Sequence, residues 1–122
     1  MSRVSLIKSP RIDKKYRIYF DDGRKVDFGA RGYEDYTIHK DPFRMRKYIV
    51  RHGGFVHHTT LKEKNADEVH KRMLDVTMSD SEEWKRKGMY TAGFWSRWLL
   101  WSHPTMKKSK DFITKKFNIT FK

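Results

Sequence analysis

Three of the chain's four tryptophans stand in one run, Thr91-Ala-Gly-Phe-Trp-Ser-Arg-Trp-Leu-Leu-Trp-Ser-His-Pro-Thr105, and this run limits the possible folds more than any other feature. On a helix, Trp95, Trp98, Leu99 and Ser102 obey the i, i+3, i+4, i+7 rule and share one stripe, which Phe94 and Trp101 widen. Thr91 can cap such a helix and Pro104 can stop it, giving about three turns. Side chains this large must be enclosed, so the run predicts a core helix before a base-stacking platform. Arg97 lies among apolar neighbours and is expected at the rim, where its guanidinium could pair with a carboxylate or reach a phosphate.

A chain of 122 residues can build one such core, so a single domain over 1–122 is expected. Hydrophobic residues make up only 37% but aromatics 15%, which makes that core small and rich in rings. The absence of cysteine excludes a disulfide framework and a thiolate metal site. No stretch has the length of a membrane span or a signal-peptide core, so no membrane partner is expected.

Charge narrows the partners. Twenty-eight Lys and Arg against 15 Asp and Glu leave a net +13, a field that attracts polyanions. It is spread as +4 over 1–30, +3 over 31–60, 0 over 61–90 and +6 over 91–122. The neutral quarter is expected to face solvent or a partner.

Along the chain, residues 3–9 suggest a short edge strand ended by Pro10. Lys15 to Phe20 and Lys25 to Gly29 both alternate on a two-residue period around Asp21-Asp22-Gly23-Arg24, which predicts a β-hairpin. Tyr16, Ile18, Phe20, Val26 and Phe28 would share its inner face, with Lys15, Arg17, Lys25 and Asp27 outward. Gly29-Ala-Arg-Gly32 is a sharp turn before it is an anion nest, because no helix start with a Lys-Ser/Thr pair follows. Asp41-Pro42 opens a helix that Gly53 closes. Phe43, Met45, Ile49 and His52 lie on its apolar side, and Arg44, Lys47 and Arg51 form a basic ridge opposite. Asn65 can cap a helix from Ala66 to about Asp75, and the capping-box pattern from Ser79 to Glu82 predicts another over Ser79–Arg86. A basic helix over Thr105–Lys116 and a returning strand over Asn118–Phe121 complete an α+β fold. Its small antiparallel sheet, the N-terminal hairpin plus terminal strands, packs against four to five helices.

The six histidines form no metal-ligand spacing, and adjacent His57 and His58 are solvated loop side chains, so no metal and no cofactor is expected. A metal-dependent nuclease built on His39 with Asp41 or Asp35 is the weakest of the readings. Asn65 and Asn118 are the only amides suited to reading base edges, and there is no glutamine at all. Backbone contact rather than sequence readout is therefore expected.

The segments Lys25 to Asp41, Arg46 to His52 and Thr91 to Trp101, with Pro104-Thr105, resemble a family of small basic proteins of large nucleocytoplasmic DNA viruses that includes marseillevirus-type virion proteins. The resemblance covers about two thirds of the chain; residues 54–88 fall outside it and would be an insertion relative to the family core. It implies a viral origin and a DNA-associated role, in the virion or in the host cytoplasm or nucleus, and carries no active site. It raises Arg31, Tyr36, His39, Lys40, Arg46, Arg51 and Arg97 as positions to test. Together with the helix cations Arg44 and Lys47 and the C-terminal Lys107, Lys108, Lys110 and Lys115, the basic members of this group predict a non-enzymatic protein. It would bind the phosphate backbone of double-stranded DNA without sequence preference and help package a genome. The alternative is a structural virion or scaffold protein that meets acidic partners through the neutral quarter, near Trp84 and Met89.

Overall fold

The computed structural model describes residues 2–122. Strands β1 (Ser2–Lys8), β2 (Lys14–Phe20), β3 (Lys25–Ala30) and β4 (Ile119–Phe121) form one sheet in the order β3-β2-β1-β4. The hairpin β2–β3 lies where the alternation predicts it, with Ile18 opposite Val26 and Tyr16 opposite Phe28. Gly23, at φ +91°, takes the left-handed position of its turn, and the Asp22 carboxylate accepts the Arg24 N–H at 2.9 Å.

The outer pair of residues also follows the pattern: Arg17 and Asp27 face each other across the hairpin in a two-pronged ion pair at 2.8 and 3.0 Å. The guanidinium beside it holds the Asp27 carboxyl below the usual range.

Two sheet expectations are corrected. β1 is an interior strand, not an edge, because Val4, at 0% exposure, and half-buried Leu6 join the core and β4 pairs on its free side. That last pairing is parallel, Ser2 with Ile119 and Val4 with Phe121, so the sheet is mixed rather than wholly antiparallel.

The helices are α1 (Tyr36–His39), α2 (Pro42–Arg51), α3 (His58–Leu61), α4 (Ala66–Met73), α5 (Ala92–Trp95) and α6 (Met106–Phe117). Four capping residues act as their chemistry suggests: Asp41, Asn65, Thr91 and Thr105 each accept a backbone N–H of the helix that follows. Over Ser79–Arg86 the expected helix does not form. Ser79 Oγ does accept the Glu82 N–H, but the same residue pairs with Gly54 and donates to the His52 carbonyl, which ties the chain into an extended bridge. Only a 3-10 turn at Arg86–Gly88 follows.

The tryptophan run begins as predicted and then departs from an α-helix: α5 passes into a π-helical stretch, Ser96–Leu100, that ends before Pro104. Arg97, Trp98, Leu99 and Leu100 are consecutive and all buried, a demand that a one-sided amphipathic helix cannot meet. The segment packs against the sheet and α6, and Arg97 ties it to the end of α4. Three indole N–H groups at 0% exposure each find an acceptor: Trp84 on Glu82, Trp95 on the Met89 carbonyl and Trp98 on the Trp84 carbonyl, at 2.7–2.8 Å. Trp84, Val69 and Met73 place part of 54–88 within the single core, so Trp84 is not the exposed interface residue the scaffold reading required.

Candidate nucleic-acid interface

α2 turns Met45, Tyr48 and Ile49 inward and leaves Arg44, Lys47 and Arg51 exposed, as the spacing predicts. The ridge is one wall of an open cleft of about 630 Å³. The opposite wall is the open end of the hairpin, with Lys14, Lys15, Gly29 and Ala30. Ala92, Gly93, Ser96, Leu100 and Trp101 make the floor. Gly29, at φ +79°, lets β3 come down on that floor: a Cβ there would meet Leu100 Cδ1 at 2.9 Å.

The charges in the cleft sort into matched and unmatched groups. Lys15 donates to Asp35 at 2.7 Å, Arg44 to Glu34 at 3.2 Å, and the His52 ring meets Glu82 at 3.2 Å. Asp35 is further occupied, since it caps α1 through the Thr37 N–H and hydroxyl. Among the described residues, the charged ends of Lys14, Lys47 and Arg51 have no hydrogen-bond or ion-pair partner. Asp35 and Glu34 are therefore paired with cations, Glu82 is occupied by the Trp84 indole N–H and the His52 ring, and the surplus is positive.

The other residues expected to bind phosphate are not gathered here. Arg97, expected at the rim, is fully buried and meets no carboxylate. It donates to the carbonyls of Trp101 (2.7 Å), Met73 (2.5 Å) and Val76 (3.2 Å) and lies over the Trp98 ring at 4.2 Å. Burial pulls its pKa down to about 9, which leaves it protonated at neutral pH and held by the carbonyl end of α4. Arg46 donates to the Thr60 and Glu63 carbonyls, both at 2.8 Å, and so pins the α3 segment to α2. Arg31 closes the 9–14 loop on the carbonyls of Ser9, Arg11 and Lys14, and Lys40 joins α1 to Pro104 through its carbonyl at 2.6 Å. On α6, Lys107 pairs with Asp111, Lys110 lies over Phe121, and Lys108 and Lys115 are exposed away from the cleft.

Lys14 and Lys15 were missed in the sequence. Their signal is a basic doublet just before an alternating strand, and only the fold sets it opposite α2.

The nuclease geometry does not form. His39 Nδ1 accepts the Asp41 backbone N–H at 2.9 Å, its Nε2 is buried, and Asp35 is engaged as above. Among the described residues no group of three His, Cys, Asp or Glu is placed to hold a metal ion. His39, His70 and His103 instead join Tyr36 and Trp101 in a ring cluster, where the Tyr36 hydroxyl meets His70 Nδ1 at 2.8 Å. Burial lowers all three imidazole pKa values, that of His103 to about 4, and raises the Tyr36 phenol to about 12.

Residues 4–52 match the model of a family of unknown function, DUF5754. The match takes in β2, β3 and α2, hence every unmatched cation of the cleft, and stops short of the floor contributed by α5 and the π-helical stretch. No curated protein and no solved structure matches the chain. Among the described residues, no helix is long and apolar enough to cross a membrane.

Proposed function

We propose that the chain binds nucleic acid through its phosphate backbone, without sequence preference, using the exposed ridge of α2 together with Lys14. The observation that carries this reading is the set of three cations without carboxylate partners around one cleft, in a protein of net charge +13. Buried, paired or carbonyl-bound cations do not release counterions from a polyanion; Lys14, Lys47 and Arg51 can. Double-stranded DNA is the partner expected from the sequence, and a role in condensing a viral genome follows from the resemblance to virion proteins.

The test is fluorescence anisotropy of the purified chain with two unrelated DNA duplexes over a range of salt. Equal affinity for both, falling steeply as salt rises, is the expected result. Absence of binding at low salt overturns the reading.

A second reading is supported by Phe55 and Met78, both more than half exposed and joined by a backbone hydrogen bond of 3.0 Å, with exposed Val50 at the end of α2. An apolar group of this kind suits a protein partner, which would make the chain a structural or scaffold component. Partners retained after nuclease treatment and lost in Phe55→Ser would favour it.

A further inference from the structure

We propose that the cleft between the hairpin and α2 is a pocket for one unpaired nucleotide, its phosphate held by Lys14, Lys47 and Arg51 and its base seated on the floor. This rests on the nucleic-acid reading and narrows its ligand from a duplex to a single unit of a strand.

Size and wall placement lead to this. A volume of about 630 Å³ lies within the roughly 300–1,000 Å³ of small-ligand sites. It cannot admit a duplex, whose major groove alone is about 12 Å wide. A ridge that only tracked duplex phosphates would present its cations on one convex surface. Here Lys47 and Arg51, one turn apart on α2, face a concavity that Lys14 closes from β2. An anion entering between them meets positive charge on both sides, and the nearby Asp35 and Glu34 are already paired with Lys15 and Arg44.

The floor suits a flat, largely apolar body with polar edges. Ala30 and Ala92 carry nothing beyond Cβ, so they leave open the space that Leu100 and Trp101 border. Among the described residues the Ser96 hydroxyl and the Tyr48 phenol, both lining the cleft, make no hydrogen bond, which leaves two polar groups for the edge of a base. Tyr48 cannot serve as a stacking platform. Trp101 covers one face at 4.3 Å and 6°, and His52 stacks on it at 4.1 Å and 28°. Tyr33, 74% exposed on the rim, is the free ring that can cover a bound base.

The same chemistry is offered by an overhanging strand end and by a free 5′-nucleotide, and the experiment separates them. Anisotropy is read for the full chain with a blunt DNA duplex, the same duplex carrying a short single-stranded overhang, and an excess of unlabelled dAMP as competitor. The overhang is expected to bind about tenfold tighter than the blunt end, with dAMP cancelling that gain and, through the shared cations, weakening blunt-duplex binding to a lesser extent. Ala30→Trp, at an exposed position of the wall, projects a large ring into the cleft and keeps every cation; it should abolish the gain, so that both duplexes bind alike. Tyr33→Ala, also at an exposed site, should reduce the gain several-fold and covers the case in which the first variant does not fold. Equal binding of both duplexes, or a gain that survives in both variants, overturns the pocket while the backbone reading stands. Binding of dAMP with no binding of either duplex keeps the pocket and overturns the backbone reading.

Discussion

α2 and the tryptophan segment carry the same kind of sequence, an amphipathic run interrupted by arginine, yet they use their cations in opposite ways. On α2, Lys47 and Arg51 have water on one side and an open cleft on the other and remain available, while Arg44 pairs with Glu34 at the surface. In the segment from Thr91, Arg97 is closed in between two tryptophan rings and three carbonyls. What separates them is the supply of acceptors from elsewhere. α4 ends at Met73, and the Met73 and Val76 carbonyls there meet the Arg97 guanidinium, whereas no element ends against the outer face of α2. A buried cation thus holds two segments together, while an exposed one is left to meet a partner.

The largest effect that could break this contrast is at Arg97. Arg97→Met should destabilise the chain by about 2 kcal/mol or more, since the buried Trp101 and Val76 carbonyls lose their donor at about 1–3 kcal/mol each. Urea denaturation measures it, and a loss near zero would mean that the guanidinium is not a fastener. Next comes the pair Lys47→Glu and Arg51→Glu, expected to weaken duplex binding at least tenfold and lower the salt slope by about two without moving the melting temperature. Unchanged affinity would remove α2 from the interface.

An intermediate effect is expected from acid. Because the folded-state pKa values of His39, His70 and His103 are depressed, their contribution is intact above the ordinary value of 6.5. It declines as pH falls toward about 4, where unfolded chains take up protons that the folded chain resists. Melting temperatures measured across that window should fall, and His103→Phe should flatten the slope. The neighbouring charges do not reverse the sign: Asp41, Glu34, Asp35 and Asp67 favour the protonated rings, but Arg44, Lys108 and Arg97 oppose it and burial outweighs both. The smallest effect is on α6, where Lys108→Ala or Lys115→Ala should alter stability by less than about 0.5 kcal/mol and binding only slightly. A loss there as large as for α2 would shift the contact face.

Local rules made much of this legible. The hairpin, the caps Asp41, Asn65 and Thr91, the outward cations of α2 and the returning strand all follow from periodicity or from one side chain satisfying a nearby N–H. The failures share a different cause, a distant partner overriding the local pattern. Ser79 makes its capping bond but is held by Gly54 and His52; β1 looks like an edge until residue 119 arrives; Arg97 looks amphipathic until α4 ends against it. The cleft was half visible for the same reason, since its α2 wall is a helical repeat while Lys14 and Lys15 gain meaning only from the wall they face.

The pairing of β1 with β4 also bears on synthesis. Residues 2–4 must wait for residues 119–121, so the sheet cannot be completed while the chain is still being elongated through α6. Until then β1 has one unpaired side, and the emerging polypeptide exposes a sticky strand beside a run of tryptophans. Slow translation through Thr105–Phe117 should therefore lengthen the interval in which nascent chains can associate with one another or recruit a chaperone.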